Sequence, residues 1–533
     1  MGIGSLDAGL RRIMTPDRTS RLLAPPDAIG MRSSSAERLL LIGLLAAAAA
    51  LRLMVLEGRG LWFDEAFSVA IARLPVAELW RLVAQTDAHP PLYYLLLHFW
   101  LALGDTPAAI RSFSVLCGVL TVFITWVWAR DLSGPVVAAA AAALLGGSAL
   151  AIQASVEARM YPLLALLAVT ATYLLSRATS EAAAEGRVRR GHWVAYAGVM
   201  SLAFYVDYFA FLLLPVHLLY VALYHWRTPG VRRGLLLALA GAILAYGPWW
   251  SAVATQLAEG RATPIWKGSM PLSAPLNMVA LSSFGGYLFG LGGYLLDEGR
   301  WSWGQLLLVG PFLALVVAGV LTTTRRGIGL LLSLAWLLPV AILVGASMVT
   351  GLFYAIPRYV SFVQPFFFLL LAQGILAVAR RERRMATFII VTTGILVLNV
   401  AVLGATYGDP RYLPYNWAAA ARHVEARWRP GDGLLFYPQS ARVAFGYYFT
   451  SSTSTAVTLY APPWTPRPTR AALVRALPSI PALLRDAERV WVVLTEPTPP
   501  ESREALLEAV EQTYRWREGA DFRYVYVLLY ERH

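Results

Sequence analysis

Apolar and polar positions fall into long blocks along this 533-residue chain. Segments near 39–57, 108–129, 135–153, 160–178, 192–206, 208–226, 234–252, 303–323, 328–350, 359–379 and 385–405 are almost wholly apolar. Each approaches the length a helix needs to cross a bilayer, so the pattern predicts about eleven membrane spans. Two shorter stretches differ. Residues 89–104, "HPPLYYLLLHFWLALG", are apolar but short and open on Pro90–Pro91, which suit the first turn of a helix. Residues 74–84 place Leu74, Leu79, Leu82 and Val83 at helical spacing. Both predict helices lying at the membrane interface. After residue 406 the blocks shorten. Helix-like stretches ("NWAAAARHVEARW", "TRAALVRALPSIPALLRD", "ESREALLEAVEQTY") alternate with strand-like ones ("GLLFYP", "RVWVVLT", "FRYVYVLLYE"), which predicts a small α/β domain.

Composition agrees with the block pattern. The chain is 57% hydrophobic and 14% charged, which excludes an ordinary soluble domain. The formal net charge of +13 comes mostly from arginines clustered between spans: Arg130, the group from Arg177 to Arg190, Arg227 with Arg232 and Arg233, Arg325–Arg326, and Arg380 to Arg384. Cytoplasmic loops collect such residues, so the N-terminus is expected inside and the C-terminal domain outside. Treating 89–104 as a span would reverse every later loop and put these clusters outside. No zinc-finger spacing or RNA-binding signature accompanies the charge. Cys117 is the single cysteine, so no disulfide framework exists. The expected organisation is a disordered cytoplasmic tail at 1–37, a transmembrane domain at 38–406 and an extracytoplasmic α/β domain at 407–533. Within the membrane domain, 58–107 form the first external loop and 253–302, rich in Gly, Pro and Trp, a lid. The run from Leu39 to Leu56 is expected to be an uncleaved span rather than a signal peptide.

The chemistry-bearing residues sit at the outer ends of these spans. Asp64 and Glu65 follow the first apolar run, in "GRGLWFDEAFSVA". Acids favour a helix N-terminus, and neighbours on a helix point about 100° apart, so both need not face one ligand. Arg159 lies in "EARMY" and Arg358 in "PRY"; Lys267, in "PIWKGSM", is the only lysine. Arginines at span ends also snorkel to headgroups, but guanidinium forks and a lysine point charge suit phosphate. His89, Glu157 and Asp207 are further polar residues on this side. Oxygen-rich ligands suit several divalent cations, and the spacing of these residues selects none.

Three motifs in order, "LWFDEAFS", "HPPLYYLLLHFW" and "EARMYPLLALL", resemble the membrane-embedded GT-C glycosyltransferases. The resemblance is closest to bacterial relatives of the dolichyl-phosphate-mannose–protein mannosyltransferases and of the lipid A aminoarabinose transferases. "PRYVSFVQPFFFLLL" and "NWAAAARHVEARWRPGD" extend it over most of the chain. The resemblance implies a multi-pass enzyme of a bacterial inner membrane. It would take a hexose or pentose from a polyprenyl-phosphate carrier and pass it to a hydroxyl of a protein, lipid or polysaccharide on the outer face. Asp64 is then the expected base, with Glu65 as support or alternate base. Arg159, Arg358, Lys267 and His89 are expected at the donor phosphate. Glu157, Tyr161, Tyr93 and Asp207 are expected at the sugar or acceptor; relatives often carry histidine near Asp207. A phosphate leaving group needs cations rather than a strong general acid, so one base suffices for inverting, direct displacement and no cofactor is required. The alternative is a transporter or flippase of a lipid-linked glycan. Transporters place functional charges at mid-membrane and often carry repeats; here the charges lie at span ends and no repeat is evident.

Overall fold

The computed structural model describes residues 34–56, 60–186, 189–259, 282–283, 303–323, 327–352, 358–379, 384–408, 415–438, 440–450, 456–458, 480, 484–496, 498 and 500–533. Every predicted apolar block is helical: α1 Ser35–Met54, α5 Pro107–Ser133, α6 Pro135–Gly146 with α7 Ala149–Ser155, α8 Tyr161–Glu185, α9 Arg190–Val206, α10 Leu213–Tyr220, α11 Val231–Ala245 with α12 Trp250–Ala258, α13 Trp303–Thr323, α14 Ile328–Thr350, α15 Gln364–Val378 and α16 Arg384–Gly408. Among the described residues six stretches are long and apolar enough to cross a membrane unbroken. Two more qualify as bent pairs, α6 with α7 at 60° and α11 with α12 at 44°. Glu37, Arg38 and Arg52 interrupt the apolar character of α1, and α9 has only 17 residues. The first helix starts at Ser35, inside the expected tail, because the Ser34 hydroxyl caps it by accepting from Glu37 N at 3.1 Å.

Leu, Ile and Val share the bundle core with alanines and aromatic side chains. Gly319 of α13 and Gly374 of α15 lie where any Cβ would strike the opposing helix backbone, so the two helices approach as closely as their peptide groups allow. α15 is buried continuously from Gln364 to Ile375.

Between α1 and α5 lie three short helices: α2 Phe63–Ala72, α3 Val76–Thr86 and α4 Leu92–Trp100, with Pro91 capping α4. α3 and α4 are helical in the two stretches that the sequence predicts as short helices, and α2, which begins at the acid pair, adds a third. The C-terminal unit holds α17 Trp417–Glu425, α18 Ala441–Tyr448, α19 Pro500–Glu511 and a five-stranded sheet. Its strands are β1 Gly433–Tyr437, β2 Ala456–Thr458, β3 Arg489–Thr495, β4 Tyr514–Asp521 and β5 Val525–Arg532, in the order β2-β1-β3-β5-β4. β1 runs parallel to β2 and β3, while β5 is antiparallel to β3 and β4. β1 and β3 are buried at every position, as central strands covered on both faces must be. β2 and β4 were not expected. β4 is an edge strand of mixed polar residues, mostly exposed, and so carries no apolar alternation.

Candidate active site

One end of the bundle gathers the acid pair Asp64–Glu65 with Arg111, Arg159 and Arg358. α2 begins there, held by three neighbours. Tyr448 of α18 places its hydroxyl 2.6 Å from Leu61 N, and Arg111 of α5 donates to Gly60 O at 2.8 Å. Glu65 reaches back to Trp62 N at 3.2 Å, satisfying a first-turn donor. The two adjacent acids then diverge. Glu65 is fully buried. Its two oxygens accept from Arg111 Nε at 2.7 Å and Nη2 at 2.6 Å, and Oε1 also accepts from Ala158 N at 2.8 Å. This closed fork ties α2 to α5 and to the turn before α8. Asp64 instead keeps 21% of its side chain exposed, with Arg358 Nη1 at 3.6 Å from Oδ2.

Two guanidinium groups flank Asp64. Arg159 is buried, and its Nη1 approaches Asp64 O at 3.4 Å and Ser68 Oγ at 3.3 Å, both long contacts. Arg358 lies over the Trp62 ring at 4.9 Å and the Tyr359 ring at 5.6 Å. The Nε of each has no hydrogen-bond partner among the described residues. Burial acts to lower the pKa of Arg159, but Tyr94, Tyr161, Asp64 and Asp87 outweigh it and hold the cation firmly protonated. Arg358 follows the same balance, with Tyr161 and Asp64 the leading neighbours.

A second cluster lies beside Arg159. His89 Nδ1 is 3.2 Å from Asp87 Oδ1, which also accepts from Ala88 N at 2.7 Å. Burial pushes the Asp87 carboxyl up, yet His89, Arg159 and Tyr94 together bring it below the usual carboxylate range. The Tyr94 hydroxyl lies beside this carboxylate, but neither it nor Asp87 Oδ2 meets hydrogen-bond geometry among the described residues. Asp207, at the reversal between α9 and the turn leading into α10, is buried and accepts from Phe209 N at 2.9 Å. Burial raises its pKa, and His89 only partly offsets this.

The expected residues therefore divide. Asp64, Arg159, Arg358, His89 and Asp207 converge on one end of the bundle. Glu157 feels the fields of Arg111 and Arg358 from the turn before α8. Tyr161 is buried between Arg159, 6.0 Å from its ring, and Tyr359, at 5.9 Å between centroids. Tyr93 is fully buried with its hydroxyl 3.1 Å from Ser114 Oγ, so its surroundings are those of a packing residue. Lys267 and most of the expected lid lie outside the described residues. Among the described residues no group of three or more His, Cys, Asp or Glu side chains is placed to hold a metal. Sequence reasoning passed over Asp87 and Arg111. Asp87 stands two residues before His89 in "TDAHPP", and Arg111 is a charge inside a long apolar helix, itself a signal of a buried partner.

Comparisons with known proteins agree with this architecture. Residues 88–251 match the family model for dolichyl-phosphate-mannose-protein mannosyltransferase. No curated protein sequence matches the chain. Among solved structures, ArnT from Cupriavidus metallidurans in the apo state aligns with a TM-score of 0.63 at 14% identity, over 93% of this chain and 98% of that one. The same protein bound to undecaprenyl phosphate aligns at 0.61, also at 14% identity, over 93% and 98% of the two chains. The Archaeoglobus fulgidus oligosaccharyltransferase tethered with an acceptor peptide aligns at 0.51 and 12% identity, over 93% of this chain and 74% of that one. The chain thus has the fold of the GT-C membrane glycosyltransferases, and its residues 88–251 match the mannosyltransferase family within it.

Proposed function

We propose that the chain transfers a sugar from a polyprenyl-phosphate carrier to an acceptor hydroxyl on the outer face of a bacterial inner membrane, by direct inverting displacement. The observation that carries this reading is the half-open Asp64 carboxylate beside two guanidinium groups, Arg358 within 3.6 Å of it and Arg159 on its backbone. In the step, the acceptor oxygen bonds to the anomeric carbon as the carbon–oxygen bond to phosphate breaks. The hydroxyl proton passes to Asp64, and the bonding pair leaves on the phosphate oxygen. A positioned carboxylate contributes about 10²–10⁴-fold to such a transfer. Arg159 and Arg358 stabilise the charge that develops on the phosphate, through Nε–H groups that no described residue occupies. His89, oriented by Asp87, presents its other ring nitrogen to the phosphate or sugar. Tyr161, Glu157 and Asp207 border the same region and are assigned to sugar or acceptor contacts. Glu65 acts through α2: its oxygens are engaged by Arg111 and Ala158, so it positions Asp64 rather than accepting the proton. Residues 407–533 are proposed to face the outside with this site, since Tyr448 and Tyr447 of α18 contact Leu61 and Asp105.

The test is reconstitution of the purified chain in liposomes with radiolabelled polyprenyl-phosphate sugars and a membrane extract as acceptor source. Wild type is expected to pass label to an extractable acceptor. Asp64→Asn is expected to lose about 10²–10⁴-fold in rate while keeping wild-type thermal stability. Equal transfer by both proteins would remove Asp64 as the base. No transfer from any donor by wild type would count against the enzyme reading itself.

A further inference from the structure

A second polar site lies within the helix bundle. Arg52 of α1 is 1% exposed. Its Nη1 donates to Ala48 O and Gly146 O, each at 2.9 Å, so the guanidinium caps the C-terminal end of α6 where the α6–α7 pair bends. No Asp or Glu among the described residues pairs with it. Its Nε–H has no partner among the described residues, and Arg52 lines a cavity of about 20 Å³, room for about one small group, which Gln364 at the start of α15 also lines. Gln364 is 1% exposed, and neither atom of its amide has a partner among the described residues. Two buried polar side chains from different helices thus line one cavity, Arg52 with its Nε–H and Gln364 with its amide unpaired among the described residues.

The remaining lining defines what can enter. The hydroxyls of Thr121, Ser155 and Ser361 donate to Cys117 O, Ala151 O and Arg358 O, so their protons are already engaged. The free donors are Arg52 Nε–H and the Gln364 amide. The lining contains no acid, so the site carries a net positive charge inside an apolar bundle. Helix-end carbonyls carry only about half a charge and compensate a guanidinium in part. An uncompensated charge among spans is costly and faces a partner or a polar cavity. A cation is excluded by Arg52. A neutral polyol or a dianion is disfavoured, the first because it leaves the charge uncompensated and the second because the one guanidinium compensates a single negative charge.

We propose that this cavity is an intramembrane binding site for a small inorganic monoanion of chloride size, held by Arg52 Nε–H and the Gln364 amide. The anion neutralises Arg52 and so fixes the bend between α6 and α7, next to the turn that carries Arg159. The proposal does not depend on the transfer reaction.

Two measurements test it. In detergent or nanodiscs exchanged into gluconate, titration with chloride or bromide is expected to raise Tm saturably by about 2–5 °C. Gluconate and sulfate, too large or too highly charged, give no saturable rise. Gln364→Leu, which leaves Arg52 and its carbonyl contacts in place, is expected to flatten the titration. Arg52→Gln should do the same if it folds. In crystals grown with bromide, an anomalous peak is expected between Arg52 and Gln364. A wild-type Tm indifferent to chloride, an unchanged titration in Gln364→Leu, or density showing only waters in the cavity would each overturn the proposal. A lipid phosphate group found there would overturn it in favour of a headgroup site.

Discussion

The buried Asp432–Arg489 pair of the α/β domain and the Asp64–Arg358 pair at the site end of the helix bundle are built in opposite ways. In the domain, Asp432 accepts from Arg489 Nε at 2.8 Å, Arg489 Nη2 at 2.6 Å, Trp491 Nε1 at 3.0 Å and Arg429 N at 3.0 Å. Those bonds saturate the acid and knit β3 to the turn before β1. At the bundle end, one pair follows the same rule and the pair beside it breaks it. Glu65 with Arg111 is closed; Asp64 with Arg358 stays 3.6 Å apart and partly exposed. Asp87 Oδ2, Asp207 Oδ2, Arg159 Nε and Arg358 Nε are buried polar atoms without partners among the described residues. Buried polar groups are normally satisfied. Their concentration around Asp64 marks the place where the fold keeps hydrogen-bonding capacity in reserve for something else. The lesson is that an ion pair at this end is informative by its incompleteness.

The sharpest way to break this comparison is to neutralise the two adjacent acids separately. Glu65→Gln strands the Arg111 cation in a buried site, and disrupting a buried pair in this way costs about 3–5 kcal/mol. A large drop in Tm and poor recovery from membranes are expected, with activity lost along with the fold. Asp64→Asn is expected to leave Tm nearly unchanged and slow transfer about 10²–10⁴-fold. Thermal denaturation of the two variants side by side decides it. A stable, inactive Glu65→Gln protein would reverse the roles of the two acids.

A smaller effect is expected at the open pair. Arg358→Lys keeps a positive charge but loses the planar fork and the stacking on Trp62. The donor KM is expected to rise about 10-fold, which corresponds to about 1.4 kcal/mol, with a lesser change in kcat. A change confined to kcat would mean that Arg358 acts on the transition state alone. Arg489→Lys in the α/β domain provides the contrast, since it should lower Tm without moving the donor KM.

Much of the bundle was legible because membrane spans are long and apolar, and each of the eleven predicted blocks is helical, two of them as bent pairs. The central strands β1 and β3 were equally visible as uniform apolar runs. β4 was not, because its edge position leaves polar residues exposed on both sides. Of the site, Asp64, Arg159, Arg358 and His89 were named because they sit in motifs at span ends. The difference between Asp64 and Glu65 was not readable. One residue on a helix turns a side chain by about 100°, and only Arg111, 46 positions on from Glu65, shows which acid is locked. Asp87 went unnamed for the same reason: its role comes from Arg159 and Tyr94, which the chain brings to it from elsewhere.

The smallest effect concerns Asp207, and its sign follows from linkage. Burial raises its carboxyl pKa in the folded protein above the ordinary value near 3.8. Between the two values the folded state holds a proton that the unfolded chain has released, so stability falls as pH rises through that window. Above that window the full cost of keeping a buried carboxylate is present. Asp207→Asn removes the charge while its side-chain oxygen can still accept from Phe209 N. The variant is therefore expected to exceed wild type in Tm by about 1–3 °C at pH 7, and the gap should close as the pH is lowered toward 4. Tm measured across that range gives the comparison. A gap that persists unchanged at low pH would assign the gain to packing. A variant less stable than wild type at pH 7 would show that the carboxylate is held by an attractive charge, with His89 the nearest candidate.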